Sequence, residues 1–247
     1  MGFIDHFDKI YIIHCVENKK REENIKYQLK KLTCDLSKLN IHETCYFPFS
    51  KQAQLGLFFT NKTRNLQTAS EYNLTREFYQ IIKTSYFKGY EHILIFEDDF
   101  SLINQDLIDK YFNELPKDWD ILQLSYQLNK HQYDYSKILN NPNYWIKKDF
   151  GAWSNNGLGL SRNGMKYWID YIDKEFVAAD IPTHESTNNI KYYGKINQSH
   201  LNHYIPNLPL VYIDGVDSTV QTDDKSDIYE LYESLDKNLY TIYNENN

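Results

Sequence analysis

Residues 92–100 read HILIFEDDF, and the fold follows from how this stretch is read. After His92, four consecutive apolar residues, Ile93, Leu94, Ile95 and Phe96, run straight into three carboxylates, Glu97, Asp98 and Asp99. A short, wholly apolar run with β-branched residues is the pattern of a strand covered on both faces. Upstream, residues 71–90 set Leu74, Phe78, Ile81, Ile82 and Ser85 on one side of a helix, with Gly89 placed to stop it. Downstream, 104–115 (NQDLIDKYFNEL) reads as a helix and 118–126 (DWDILQLSY) as another strand. Strand and helix alternate, which predicts an α/β fold whose sheet is buried on both faces.

Further out, 8–15 (DKIYIIHC) reads as an opening strand and 17–32 as an amphipathic helix carrying Ile25, Leu29 and Leu32. A second strand is expected near 42–49 (HETCYFPF), followed by a polar stretch from 50 to 70 that has no clear assignment. Beyond Asn129 the alternation loosens. Residues 130–143 are polar and irregular, and 144–147 (YWIK) is a short strand candidate. Then 151–161 (GAWSNNGLGLS) forms a Gly-rich turn leading to a helix over 162–172. A late strand within 206–215 (PNLPLVYIDG) and a terminal helix over 227–243 complete the reading. Neither an internal repeat nor a low-complexity linker divides the chain, so one domain is expected over 1–247, with 226–247 as a closing helix or tail.

A chain of 247 residues buries a substantial core as one domain. Its net charge of -7 supplies no basic surface for a nucleic-acid backbone, so no nucleic-acid partner is expected. The apolar runs are too short to span a bilayer, and the opening MGFIDHFDKI lacks the basic-then-apolar layout of a signal peptide. A soluble, cytoplasmic protein without a membrane span is expected. Cys15, Cys34 and Cys45 are too few and too unevenly spaced for a disulfide framework or a zinc site. With 22 Tyr, 13 Phe and 4 Trp, aromatics make up 16% of the chain, and such side chains serve both sugar-binding clefts and ordinary cores.

An acidic triplet alone means little, since about 0.6 are expected by chance at this composition. Four apolar residues directly before it lower that expectation to about 0.02. In an open α/β sheet, ligands bind at the carboxyl ends of the strands, where this strand delivers its carboxylates. Clustered carboxylates repel one another unless a cation lies between them, and Mg2+ or Mn2+ takes oxygen ligands and bridges to phosphates. A metal–diphosphate site is the functional reading. The alternative is that Asp98 or Asp99 caps the helix beginning near Asn104.

With these residues in view, the chain resembles glycosyltransferase family 25, the group of bacterial lipopolysaccharide sugar transferases and collagen galactosyltransferases. The resemblance rests on 8–25, similar to the family's opening strand and Arg-containing loop with Arg21 at the second basic position, on 74–100, similar to its long helix, Gly turn and EDD strand, and on 151–169, similar to its small-residue strand and following helix, with GLGLSRNGMKYW. His14-Cys15 stands where the family usually has Asn-Leu. The resemblance implies a GT-A fold, a Rossmann-like mixed sheet flanked by helices. It also implies a nucleotide-sugar donor, usually UDP-linked, a divalent metal, and inverting transfer of a hexose to a hydroxyl of a glycan or glycoprotein.

Each role then has a candidate. Alternate residues of an extended segment project the same way, so Asp99 and Glu97 are the expected metal ligands, with Asp98 turned elsewhere and kept among the donor contacts. Asp214, after the late strand, is a further metal candidate or else opens an Asp-Gly turn. Asp180 in 176–186 (FVAADIPTHES) resembles the family's late acceptor-side Asp and is the candidate base, or a turn or cap residue. His184, four residues on, is the runner-up. Asn155, Asn156 and Gly157 offer amide donors and a close backbone, and Trp153 a stacking face, for the donor sugar; a Gly-bearing turn or bulge is the alternative. His14, Glu17 and Arg21 end the first strand, where base and ribose bind in such sheets, although Arg21 could equally be a solvated helix charge. The competing function is a non-catalytic carbohydrate-binding or structural protein on the same scaffold. A metal-dependent phosphotransferase or nuclease is weaker, since there is neither a P-loop nor a basic patch.

Overall fold

The computed structural model describes residues 2–32, 36–44, 69–127, 135–152, 154–184, 191–192, 195–196, 201–213, 235–236 and 239–240. Its center is a seven-stranded mixed sheet built from β1 (Lys9–Cys15), β2 (Leu39–Thr44), β3 (His92–Glu97), β5 (Ile121–Gln123), β6 (Trp145–Lys147), β7 (Leu158–Ser161) and β10 (His203–Pro206). The order is β2-β1-β3-β7-β5-β10-β6. β1 is parallel to β2 and β3, β7 is antiparallel to both β3 and β5, β10 is parallel to β5, and β6 is antiparallel to β10. Hence β2, β1, β3, β5 and β10 all present their carboxyl ends to one edge. The remaining strands form two small pairs, β4 (Phe100–Leu102) with β11 (Val211–Ile213), and β8 (Lys191–Tyr192) with β9 (Lys195–Ile196).

The period of two in the strands divides the core into two layers. Ile10, Ile12, Leu94 and Phe96 face one layer, shared with Phe3, Phe7, Phe112 and Trp119. Tyr11, Ile13, Ile93 and Ile95 face the other, shared with Phe78, Ile82 and Trp168. Each such fully buried side chain contributes about 1.5–3 kcal/mol, which is why the apolar run of β3 has no polar face. The helices are α1 (Lys19–Lys31), α2 (Ala69–Phe87), α3 (Gln105–Asn113), α4 (Tyr135–Leu139), α5 (Arg162–Lys174) and α6 (Asp180–His184). The expected stripe of α2 is the buried one, and Gly89 beyond its end has φ of 81°. None of the helices among the described residues is long and apolar enough to cross a membrane.

The α/β class and the mixed sheet flanked by helices stand as expected. Several local expectations differ. The second strand begins at Leu39, and residues 45–49 lie outside the described part, as does most of the expected terminal helix. The Gly-rich stretch, a turn by its residues and a small-residue strand by the resemblance, holds β7 at the center of the sheet, where Gly159 packs so closely that a Cβ would sit 3.1 Å from the Leu122 Cβ. Strand β10 went unforeseen: His203–Pro206 ends on a proline, and its short, mixed run carries no alternation.

Candidate functional site

The site grows from the first turn of α1. The Asn18 side chain accepts the Arg21 N–H at 3.2 Å and so caps the helix, contributing about 1 kcal/mol. This sets Arg21, Asn24 and Gln28 on one face, three to four residues apart. Asn24 Nδ2 donates to the carbonyls of Asp98 (3.3 Å) and Phe100 (2.9 Å), Gln28 Nε2 donates to Asn24 Oδ1 at 3.2 Å, and Gln28 Oε1 accepts from the Leu102 N–H at 3.2 Å. A buried polar stripe of α1 therefore holds the chain as it leaves β3.

Asp98 is wholly engaged. Its Oδ1 accepts from Arg21 Nη1 at 2.6 Å, and its Oδ2 lies 3.0 Å from both His14 Nδ1 and the Cys15 backbone nitrogen. At 4% exposure it is an internal anchor between β1, α1 and β3. Asp99 accepts from Asn156 Nδ2 at 2.7 Å and from Arg21 Nη2 at 3.4 Å. Burial opposes the charge on Arg21, but Asp99 and Asp98 outweigh it and hold the guanidinium above its ordinary value. Neither Asp caps the following helix, because Asn104 does so, accepting from the Leu107 N–H at 3.1 Å.

Glu97 differs from its neighbours: among the described residues its carboxylate accepts no hydrogen bond. Burial first, then the charge of Asp99, lifts it well above the usual carboxylate range against the pull of Arg21, and Asp98 and Asp180 push the same way. Asp180, in the first turn of α6, is thus within electrostatic reach of Glu97. It is itself pushed up to about 6 by burial, with a further push from Glu71 in the first turn of α2, while its own backbone N–H pulls it down. The carboxyl ends of β1 and β3 and the starts of α1, α2 and α6 gather Arg21, Glu71, Glu97, Asp99 and Asp180 in one region.

The other candidates divide. Asn156 is tied to Asp99 and to the Glu97 N–H (3.2 Å), and Asn155 Nδ2 donates to the Ala179 carbonyl at 2.6 Å, while Asn155 Oδ1 is buried without a hydrogen-bond partner among the described residues. Gly157 has φ of 82°, and a Cβ there would lie 2.9 Å from the Leu124 Cβ, which makes it the turn glycine that feeds β7. Glu17 is exposed and accepts from Cys15 Sγ at 3.1 Å. His184 closes α6, but its side chain is outside the described part, as are Trp153 and Asp214. β11 leads toward Asp214 and pairs Ile213 with Phe100.

Sequence reading missed Asn24, Gln28, Glu71 and Ser154. Ser154 has φ of 86°, unusual for a residue with a Cβ, and is held by Gln123 Nε2 on its carbonyl (2.5 Å) and Ser125 Oγ on its hydroxyl (2.6 Å). The one available signal was the spacing of Arg21, Asn24 and Gln28 along α1. Among the described residues no three His, Cys, Asp or Glu side chains form a group that could hold a metal ion on their own. No protein-family model and no curated protein matches the chain.

Proposed function

We propose that the protein is a glycosyltransferase that moves a hexose from a UDP-sugar to a hydroxyl of a glycan or glycoprotein, with inversion and with Mn2+ or Mg2+ as cofactor. The observation that carries this reading is the pair Glu97 and Asp99 at the carboxyl end of β3, with Asp180 within electrostatic reach of Glu97. Such ions are held by one or two carboxylates, with phosphate and water oxygens completing the shell. Glu97, whose carboxylate accepts no hydrogen bond among the described residues, and Asp99 fit that donor set. When bound, the cation would supply positive charge against the leaving diphosphate.

The chain's own residues supply the rest. Arg21 carries a positive charge beside the same carboxylates and so lessens their repulsion of a diphosphate. Asp180, with its carboxyl pushed up to about 6, is mostly ionised at neutral pH yet more basic than an ordinary aspartate. It takes the proton of the acceptor hydroxyl as that oxygen bonds to the anomeric carbon and the bond from that carbon to the diphosphate oxygen breaks.

Calorimetric titration with UDP, with and without Mn2+, tests the reading. Mn2+ should tighten UDP binding by about tenfold or more, that is by at least about 1.4 kcal/mol. Equal binding without metal removes the cofactor, and no UDP binding under either condition favours a non-catalytic carbohydrate-binding protein.

A further inference from the structure

Lys148 is a buried lysine that the proposed chemistry does not use. It follows β6, is 3% exposed, and places Nζ 3.1 Å from the Thr183 carbonyl and 3.4 Å from His203 Nδ1. Among the described residues no carboxylate pairs with it. An amine buried this way costs stability that a methionine of similar length would not.

Its contact falls on a helix whose described residues number five, Asp180–His184, too short a stretch to be stable alone. It is held from outside instead. Asn155 Nδ2 donates to the Ala179 carbonyl at 2.6 Å, the Tyr167 hydroxyl donates to the Pro182 carbonyl at 3.1 Å, and Trp168 Nε1 donates to Thr183 Oγ1 at 3.4 Å. Lys148 supplies a donor for the Thr183 carbonyl, three residues after Asp180.

We propose that Lys148 is a positioning residue: by donating from Nζ to the Thr183 carbonyl it fixes the helix that carries Asp180, and so holds that carboxylate where the acceptor proton must be taken. The inference rests on the transferase reading for its catalytic half. Burial pulls the amine well below its ordinary value. A neutral amine still donates, so the contact survives either protonation state.

The test uses K148M in the full chain, with three readouts: melting temperature, steady-state kinetics, and hydrogen exchange over residues 178–184. The expected result is a melting temperature unchanged within about 2 °C or raised, a kcat lowered about tenfold or more with KM for the UDP-sugar within about twofold, and faster exchange confined to 178–184. A K148M protein with wild-type kcat and wild-type exchange overturns the proposal, as does a loss confined to KM. If K148M does not fold, K148Q replaces it, because its shorter amide does not reach Thr183, and the same outcomes decide. If the wild-type protein neither binds UDP nor transfers sugar, the transferase reading falls. The exchange rates then still report whether Lys148 holds α6, with unchanged rates overturning that half.

Discussion

Asn156 joins the two carboxylates that matter most: its Nδ2 donates to Asp99 Oδ1 at 2.7 Å while its Oδ1 accepts the Glu97 N–H at 3.2 Å. One amide thus fixes both the side chain of Asp99 and the backbone of Glu97. On the transferase reading Asp99 serves the bound metal and diphosphate and not the core, so Asp99→Ala should lower transfer by about 10²–10⁴-fold and leave the thermal transition in place. A folded Asp99→Ala protein with full activity refutes the role.

Asp98 behaves in the opposite way. Removing its carboxylate leaves Arg21 and His14 buried without their common partner. Asp98→Ala is expected to cost about 3–5 kcal/mol of folding stability. Urea unfolding of the two variants side by side should therefore rank Asp98→Ala far below Asp99→Ala, and the reverse order would contradict the anchoring role.

Asp180 links activity and stability to pH. Its carboxyl lies near 3.8 unperturbed and at about 6 in the folded protein. Between these values the folded state binds a proton that the unfolded state has released, so this residue's contribution to stability falls as pH rises through the window. Asp180→Asn should accordingly be more stable than wild type at pH 7 and lose that advantage at pH 3. The wild-type transfer rate should fall as pH drops below about 6, when the base becomes protonated. A rate flat between pH 5 and pH 7, set as about one unit on each side of that value, argues against Asp180.

Gly164 tests the packing of α5 against the sheet. Alanine is the better helix former by about 1 kcal/mol, but a Cβ at this position would stand 2.2 Å from the Asp120 carbonyl oxygen. Backbone cannot yield as a side-chain tip does, so the clash wins, and Gly164→Ala should destabilise by about 2 kcal/mol or more. A stabilised Gly164→Ala protein, measured by thermal unfolding, would mean that α5 moves freely off β5.

The strands of the sheet that bury both faces were legible because burial leaves an unbroken apolar run, as in 93–96 and 10–13. β10 was not, since its short run ends on Pro206, and β7 was visible only through the family resemblance; the places of both are set by neighbours far along the chain. In the site, the acidic triplet was visible as a cluster. Its division into a buried anchor, Asp98, and a less buried pair, Glu97 and Asp99, depends on the turn at 98–99 and on α1 lying beside it. Asn155 and Asn156 read as ligand amides from their Gly-rich setting; the ties of their Nδ2 groups to Ala179 and Asp99 come from tertiary packing that the sequence does not display. Lys148 carried no signal at all, because nothing local marks a lysine for burial.

β7 runs against the direction of both its neighbours and separates β3 from β5. Until it slides in, each of those strands has an open edge of unpaired N–H and C=O groups, and its arrival requires closing the chain between residues 97 and 158. We therefore expect the two halves of the sheet to assemble first and the seam to close late, with refolding yield dropping as protein concentration rises because open edges find one another. Asn155, Asn156 and Gly157 travel with β7, so a molecule stalled before that step would carry its carboxylates with no amide to hold them.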